Sequence, residues 1–245
     1  MPQIVIDGLL TNYQIIGEEK ETLLILPGWK RSINEWISIA KSLANDHKVV
    51  LLDLPGFGTT AMPKEIFGVF EYANFVKDFL SRLKISKCSI LGHSFGGRLA
   101  IVLSSEGKIV EQLILVDSAG IENKSAYAKL MRFLKIIFRP VFLLLPIFIK
   151  HRIGNLIGSA DYKTSGELRK IFVKTVNQDL RALLPKIAAR TVIIWGDKDR
   201  SLPVSQTKIF KKEIKDSKVR IVWGAGHDPH IQKTEQFLSI LKEIL

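Results

Sequence analysis

The chain has one cysteine in 245 residues. That leaves no partner for an internal disulfide and rules out a multi-cysteine zinc site, and it fits a reducing, cytoplasmic setting. Cys88 lies in "KCSIL", a buried-strand pattern, and reads as a packing residue. Long apolar runs are also missing. A membrane span needs about 18 uninterrupted apolar residues, and the nearest approach, "PVFLLLPIFI" at 140–149, is short and broken by Pro146. The start, "MPQIVIDGLLTNYQIIGEEK", has no basic segment leading into an apolar one, so no signal peptide is expected. There is no internal repeat, no low-complexity linker and no Gly-x-x-x-x-Gly-Lys-Ser/Thr phosphate loop, since Gly96-Gly97 is followed by Arg98.

A composition of 47% hydrophobic and 24% charged residues is that of a folded globular chain and excludes disorder. The length suits one sizeable domain, or one domain with an insertion. The net charge of +12 is unevenly placed. From Ile121 to Arg190 there are fourteen Lys/Arg against four Asp/Glu, so this stretch carries almost the whole excess. Such a surface attracts anionic lipid, nucleic acid or acidic substrates, or is simply solvated. No aromatic–basic interleaving points to nucleic acid, and none is expected as a partner.

Short apolar runs alternate with helical periodicity. "IVI" (4–6) and "YQIIG" (13–17) flank a turn at Asp7-Gly8 and predict an antiparallel pair. "TLLIL" (22–26), "VVLLDL" (49–54), "KCSIL" (87–91), "QLILVD" (112–117), "TVIIWG" (191–196) and "KVRIVWG" (218–224) predict strands, most of them buried on both faces. Helices are expected at "INEWISIAKSL", "FEYANFVKDFLSRL" (70–83), "RLAIVLSSE" (98–106), near 204–214, and from Thr234 to Leu245. This order predicts an α/β fold with a mostly parallel sheet and helices on both faces. The basic stretch has no clear strand and is punctuated by Pro140, Pro146 and Pro185, which predicts an inserted helical segment. The expected division is a core over 1–118, a helical cap over 119–188 and the rest of the core over 189–245.

At residues 92–96, Gly-His-Ser-Phe-Gly sits between a predicted strand and a predicted helix. That is the setting of a nucleophile elbow, in which a strained turn lifts the Ser94 hydroxyl above the sheet edge and glycines make room for it. A serine hydroxyl needs a base, and the base needs an acid to orient it. "IWGDKDRSLP" places Asp199 in the loop after one strand, and "VWGAGHDPH" places His227 after the next. Both would project at the carboxyl ends of the strands, as Ser94 does. Asp117, at the end of "LILVD", is a rival acid. Asp199 is preferred for its loop position.

Together, "LPGW", "DLPGFG", "GHSFGG", "GDKDRSLP" and "GAGHDPH" resemble the α/β-hydrolase superfamily in order and spacing over nearly the whole chain. The resemblance implies an eight-stranded sheet with an antiparallel second strand, and a helical cap after the sixth strand. It also implies an oxyanion hole made by the backbone amides of Trp29 and Phe95, although Pro27 stands where the family has histidine. Asp53 falls where the family uses an acid to hold a loop. His93 is expected to support the elbow and His230 to be structural, with His47 and His151 at the surface. A metal set of His227, Asp228 and His230 has no further ligand pattern behind it. Neither a metal nor a cofactor is expected.

Serine at the elbow points to acyl transfer. The expected activity is hydrolysis of carboxylic esters of small or medium acyl substrates. Lactone, thioester and carbon–carbon bond hydrolysis use the same parts. A catalytically silent fold that binds a ligand or a membrane surface is the alternative from another class. A stripe of Leu130, Phe133, Leu134, Ile137 and Phe138 either lines an acyl pocket or packs the cap. The basic cap is also a candidate for weak contact with anionic membrane. The oligomeric state is not readable from the sequence.

Overall fold

The computed structural model describes residues 2–107, 109–121 and 165–245. Eight strands, β1 (Gln3–Ile6), β2 (Leu9–Ile16), β3 (Thr22–Leu26), β4 (Lys48–Leu52), β5 (Cys88–His93), β6 (Val110–Val116), β7 (Arg190–Gly196) and β8 (Ser217–Val222), form one sheet. Their spatial order is β1-β2-β4-β3-β5-β6-β7-β8. β2 runs antiparallel to both β1 and β4, and every other pairing is parallel. This is the expected sheet, including the antiparallel second strand.

The helices among the described residues are α1 (Ile37–Leu43), α2 (Val69–Arg82), α3 (Phe95–Ser105), α4 (Arg169–Val176), α5 (Thr207–Glu213), α6 (Pro229–Gln232) and α7 (Thr234–Ile244). A strand points alternate residues to opposite faces. Leu24 and Leu26 of β3 accordingly join the core beneath α2, α3 and α5, while Leu23 and Ile25 join the core beneath α1 and α7. With both faces covered, the central strands must be apolar throughout, and all five residues of β3 are buried.

α3 begins at Phe95, three residues earlier than its periodicity predicts, and takes in Gly96 and Gly97. Two glycines cost helix propensity of about 1 kcal/mol each, and close packing outweighs that here. His47 departs from its expected surface position: it is 9% exposed. Gly17, at φ +87°, lets the chain come so close that an added Cβ would lie 2.3 Å from the His47 carbonyl oxygen, and this tucks the residue in. Cys88 is fully buried, and burial raises its thiol to about 12, so it stays protonated and packs.

The proposed cap, 119–188, enters after β6 and returns before β7. Of its described residues, 119–121 and 165–188, the second stretch contains α4 and a 3-10 turn over Arg181–Lys186 that includes Pro185. The predicted Leu130–Phe138 stripe, Pro140, Pro146 and His151 lie outside the described residues. No helix among the described residues is long and apolar enough to cross a membrane.

Asp53, fully buried after β4, fastens three separated segments. Its Oδ2 accepts from Asn12 Nδ2 (2.7 Å) and the Thr59 amide (3.2 Å), and its Oδ1 accepts from the Ile33 amide (2.8 Å). The Ile33 bond holds down the loop that leaves β3. Asp53→Ala removes the acceptor of three hydrogen bonds, at a cost of about 3 kcal/mol or more. A melting temperature lowered by roughly 6–12 °C is expected in calorimetry.

Candidate active site

β5 ends at His93, and Ser94 follows with φ 50° and ψ −110°. Such a backbone costs on the order of 1–3 kcal/mol and persists only where its surroundings fix it. Here the Ser94 amide donates to the Val116 carbonyl (3.0 Å), and the Ser94 carbonyl accepts from the amides of Gly97 and Ala119 (3.1 Å each). Each elbow glycine touches a neighbour. An added Cβ on Gly92 would lie 2.5 Å from the Gly96 carbonyl oxygen, one on Gly96 2.1 Å from that of Leu26, and one on Gly97 2.1 Å from Ser118 Oγ. The serine then stands at the start of α3, where N–H groups without helical acceptors favour negative charge.

Ser94, Asp199 and His227, distant in sequence, meet there. His227 Nδ1 lies 2.7 Å from Asp199 Oδ2, and its Nε2 lies 2.9 Å from Ser94 Oγ. A carboxylate only accepts, so Nδ1 carries the hydrogen and Nε2 is left to accept from the hydroxyl. Asp199 Oδ1 takes the amides of Ser201 (2.7 Å) and Leu202 (2.9 Å), which fixes the carboxylate plane. Burial pulls the pKa of Asp199 upward, but the hydrogen bond and charge of His227, with the Leu202 amide, outweigh this and hold the carboxyl below its ordinary value. Gly196 allows the two loops to approach, since a Cβ there would lie 2.2 Å from the Gly226 carbonyl oxygen.

The rival acid Asp117 is fully buried beside this group but has no bond to His227. Its Oδ1 accepts from the Gly196 amide (3.0 Å). His93 does more than support the turn. Its Nε2 lies 2.8 Å from the His227 carbonyl, so it donates, and the elbow is tied directly to the loop carrying the imidazole. Burial, followed by the charge on His227, depresses the His93 pKa to about 4, which keeps the ring neutral. Sequence offered no signal for this bond across 134 positions. His230 is stacked on Trp36 (4.0 Å between centroids, 6° between planes), and burial lowers its pKa to about 2.

Among the described residues, two side-chain groups have the proximity of metal ligands: His93 with Asp228 and His230, and Asp117 with Asp199 and His227. The set of His227, Asp228 and His230, weighed in the sequence without a supporting ligand pattern, is not one of these groups. Asp228 already faces the Arg31 guanidinium (3.0 Å), which supplies its counter-charge.

The Trp29 amide lies in the loop that follows β3, and the Phe95 amide at the start of α3. Phe95 is the first residue of its helix, so its N–H has no helical acceptor. The Trp29 amide donates to no acceptor among the described residues. With proline at position 27, the Trp29 side chain holds the loop: its Nε1 donates to Ser165 Oγ (3.3 Å), and its ring packs edge-on against Phe57, Phe95 and Phe172. Sequence did not suggest the contacts with Ser165 and Phe172, which come from the returning cap segment. Arg98, buried on α3, donates to the carbonyls of Thr175 (3.0 Å) and Gln178 (2.8 Å), so α4 is anchored to the helix that follows the serine.

Comparison with known proteins agrees with this architecture. The family model described as alpha/beta hydrolase fold matches residues 21–140. An uncharacterized protein of Mycobacterium tuberculosis is 27% identical over 98% of this chain and 79% of its own. Monoacylglycerol lipase ABHD6 of Mus musculus is 24% identical over 92% of this chain and 76% of its own. Among solved structures, a bacterial membrane phospholipase A superposes with a TM-score of 0.79 at 26% identity, covering 99% of this chain and 84% of its own. The matched family model, the strand order with its antiparallel second strand, and the likeness in structure place this chain in the α/β-hydrolase superfamily.

Proposed function

We propose that the protein is a serine hydrolase that cleaves carboxylic esters of small or medium acyl substrates. The observation that carries this reading is the imidazole of His227, bonded on one side to Asp199 and on the other to Ser94. Ser94 Oγ attacks the ester carbonyl as its proton passes to His227 Nε2. Asp199 holds the Nδ1–H tautomer and stabilises the imidazolium. The amides of Trp29 and Phe95 receive the oxyanion, and losing either donor would cost about 3 kcal/mol of transition-state stabilisation. The C–O bond then breaks, the leaving alcohol takes the proton from His227, and an acyl-Ser94 remains. Water attacks this ester, gives its proton to His227 and releases the acid as Ser94 is re-protonated. Every step uses side chains and backbone amides of this chain.

The monoacylglycerol lipase and the phospholipase A act on lipids, which makes glycerolipid esters one branch of the proposed substrate class. Weak contact of the basic cap with anionic membrane belongs to the same proposal, and salt-sensitive co-sedimentation with anionic vesicles tests it. For the activity itself, a fluorophosphonate probe is expected to label wild-type protein and not Ser94→Ala. Folded protein that takes no label would favour the silent, ligand-binding alternative. A panel of p-nitrophenyl esters of rising chain length, with a monoacylglycerol, a phospholipid, a lactone and a thioester, then defines the bond cleaved.

A further inference from the structure

Asp117 is a buried carboxyl that the mechanism above does not use. It follows β6 with a left-handed φ of 40° and is fully buried. Its amide donates to the Ile194 carbonyl (3.0 Å), and Oδ1 accepts the Gly196 amide, so the side chain is held from two sides. Oδ2 is buried with no hydrogen-bond partner among the described residues. The titratable groups around it come from the loops after β7 and β8: Asp199, His227 and Asp228. Asp117, Asp199 and His227 each present a ligand-type atom within 4.8 Å of the other two. Among the described residues, no lysine or arginine forms an ion pair with Asp117.

Two carboxyls this close, away from water, cannot both hold full charge. Which one takes the proton follows from the donors already present. Asp199 receives three hydrogen bonds, from Ser201, Leu202 and His227, all of which favour its ionised form. Asp117 receives one, from Gly196. An unpartnered oxygen facing a carboxylate is satisfied only as an O–H.

We propose that Asp117 is a positioning residue that stays protonated at neutral pH and donates its Oδ2–H to Asp199, so that a second carboxyl holds the acid that orients His227. Burial, and then the neighbouring carboxylates, push the Asp117 pKa up to about 10, in the same sense. The catalytic consequence rests on the reading of Asp199 as the triad acid. The proton on Asp117 does not depend on it.

The direction of the pH effect on stability is fixed by that shift. The folded pKa lies above the unfolded value of 3.8, so the native state binds the extra proton between these limits. Stability from this group is therefore complete below about pH 4 and is lost as pH rises toward 10. Asparagine at 117 keeps both hydrogen bonds without a proton to lose.

The test uses full-length wild type, Asp117→Asn and Asp117→Ala. Difference infrared spectroscopy at neutral pH is expected to show a carboxylic acid C=O band in wild type that Asp117→Asn lacks. Absence of that band from wild type overturns the proposal whatever the protein hydrolyses. Thermal melts are expected to show Asp117→Asn more stable than wild type at pH 8, with the gain gone at pH 4. A melting temperature that Asp117→Asn lowers equally at both pH values overturns it as well. In ester kinetics, Asp117→Ala is expected to lose about tenfold or more in kcat, and Asp117→Asn to restore most of that loss. Equal loss in both variants would mean that the residue works as a carboxylate. Fluorophosphonate labelling of Ser94, run alongside, reports on the hydrolase reading separately.

Discussion

Asp199→Asn is expected to lower kcat for any ester substrate by about four orders of magnitude, with KM little changed. The cause lies in which amide atom takes which place. The Ser201 and Leu202 amides both point at Oδ1. They donate, so the oxygen of an asparagine side chain must sit there and its NH2 must face His227 Nδ1. That nitrogen then has to accept, which moves the imidazole hydrogen to Nε2, opposite Ser94. The hydroxyl loses the base that would take its proton. Geometry and fold survive, so the loss falls on the chemical step. Steady-state kinetics with a melting curve checks this, and a loss of less than tenfold would show that Asp199 does not set the tautomer. Asp117 does not replace it, having no bond to His227.

The second large effect concerns the backbone. Gly96→Ala is expected to abolish folded protein, or to leave a product that neither labels nor turns over. The added Cβ would lie 2.1 Å from the Leu26 carbonyl oxygen, 2.6 Å from its carbon and 2.8 Å from the Pro27 oxygen. All three are backbone atoms, so no side chain can swing away, and α3 must move off the end of β3. That displacement pulls Ser94 and Phe95 away from the loop carrying Trp29. Gly8→Ala is the control: φ is +75°, but nothing lies within 4 Å of the added carbon. Its cost is the left-handed conformation alone, about 1 kcal/mol. Expression yield, calorimetry and probe labelling of the two variants separate crowding from conformational preference. Equal behaviour would show that Gly96 is not packed as described.

The sheet could be read from the sequence because its central strands are buried on both faces and so are apolar without interruption. The elbow could be read because its glycines cannot be replaced where backbone meets backbone. Asp199 and His227 stood out because each follows a strand at the edge where Ser94 projects. What escaped was whatever depends on a partner far along the chain. The three-residue error at the start of α3 arose because Gly96 and Gly97 disfavour a helix locally and are imposed by contacts with β3 and Ser118. His47 looked solvated because nothing nearby in sequence shows that Gly17 lets the backbone close over it. The bond from His93 to the His227 carbonyl, and the indole of Trp29 reaching Ser165, join segments that no local pattern connects. Asp117 was visible as a carboxyl near the site, but its unpartnered oxygen was not.

Arg98 makes the cap's returning end part of the core. Its guanidinium sits four positions past Ser94 and grips two carbonyls at the end of α4, while Gln178 accepts from the Val69 amide and Lys174 pairs with Glu71 at the opening of α2. The boundary of the scaffold therefore runs upstream of α4, well before β7. A chimaera that exchanges residues 122–164 for those of another hydrolase keeps these moorings, whereas one cut at the strand boundaries discards them and strands a buried cation.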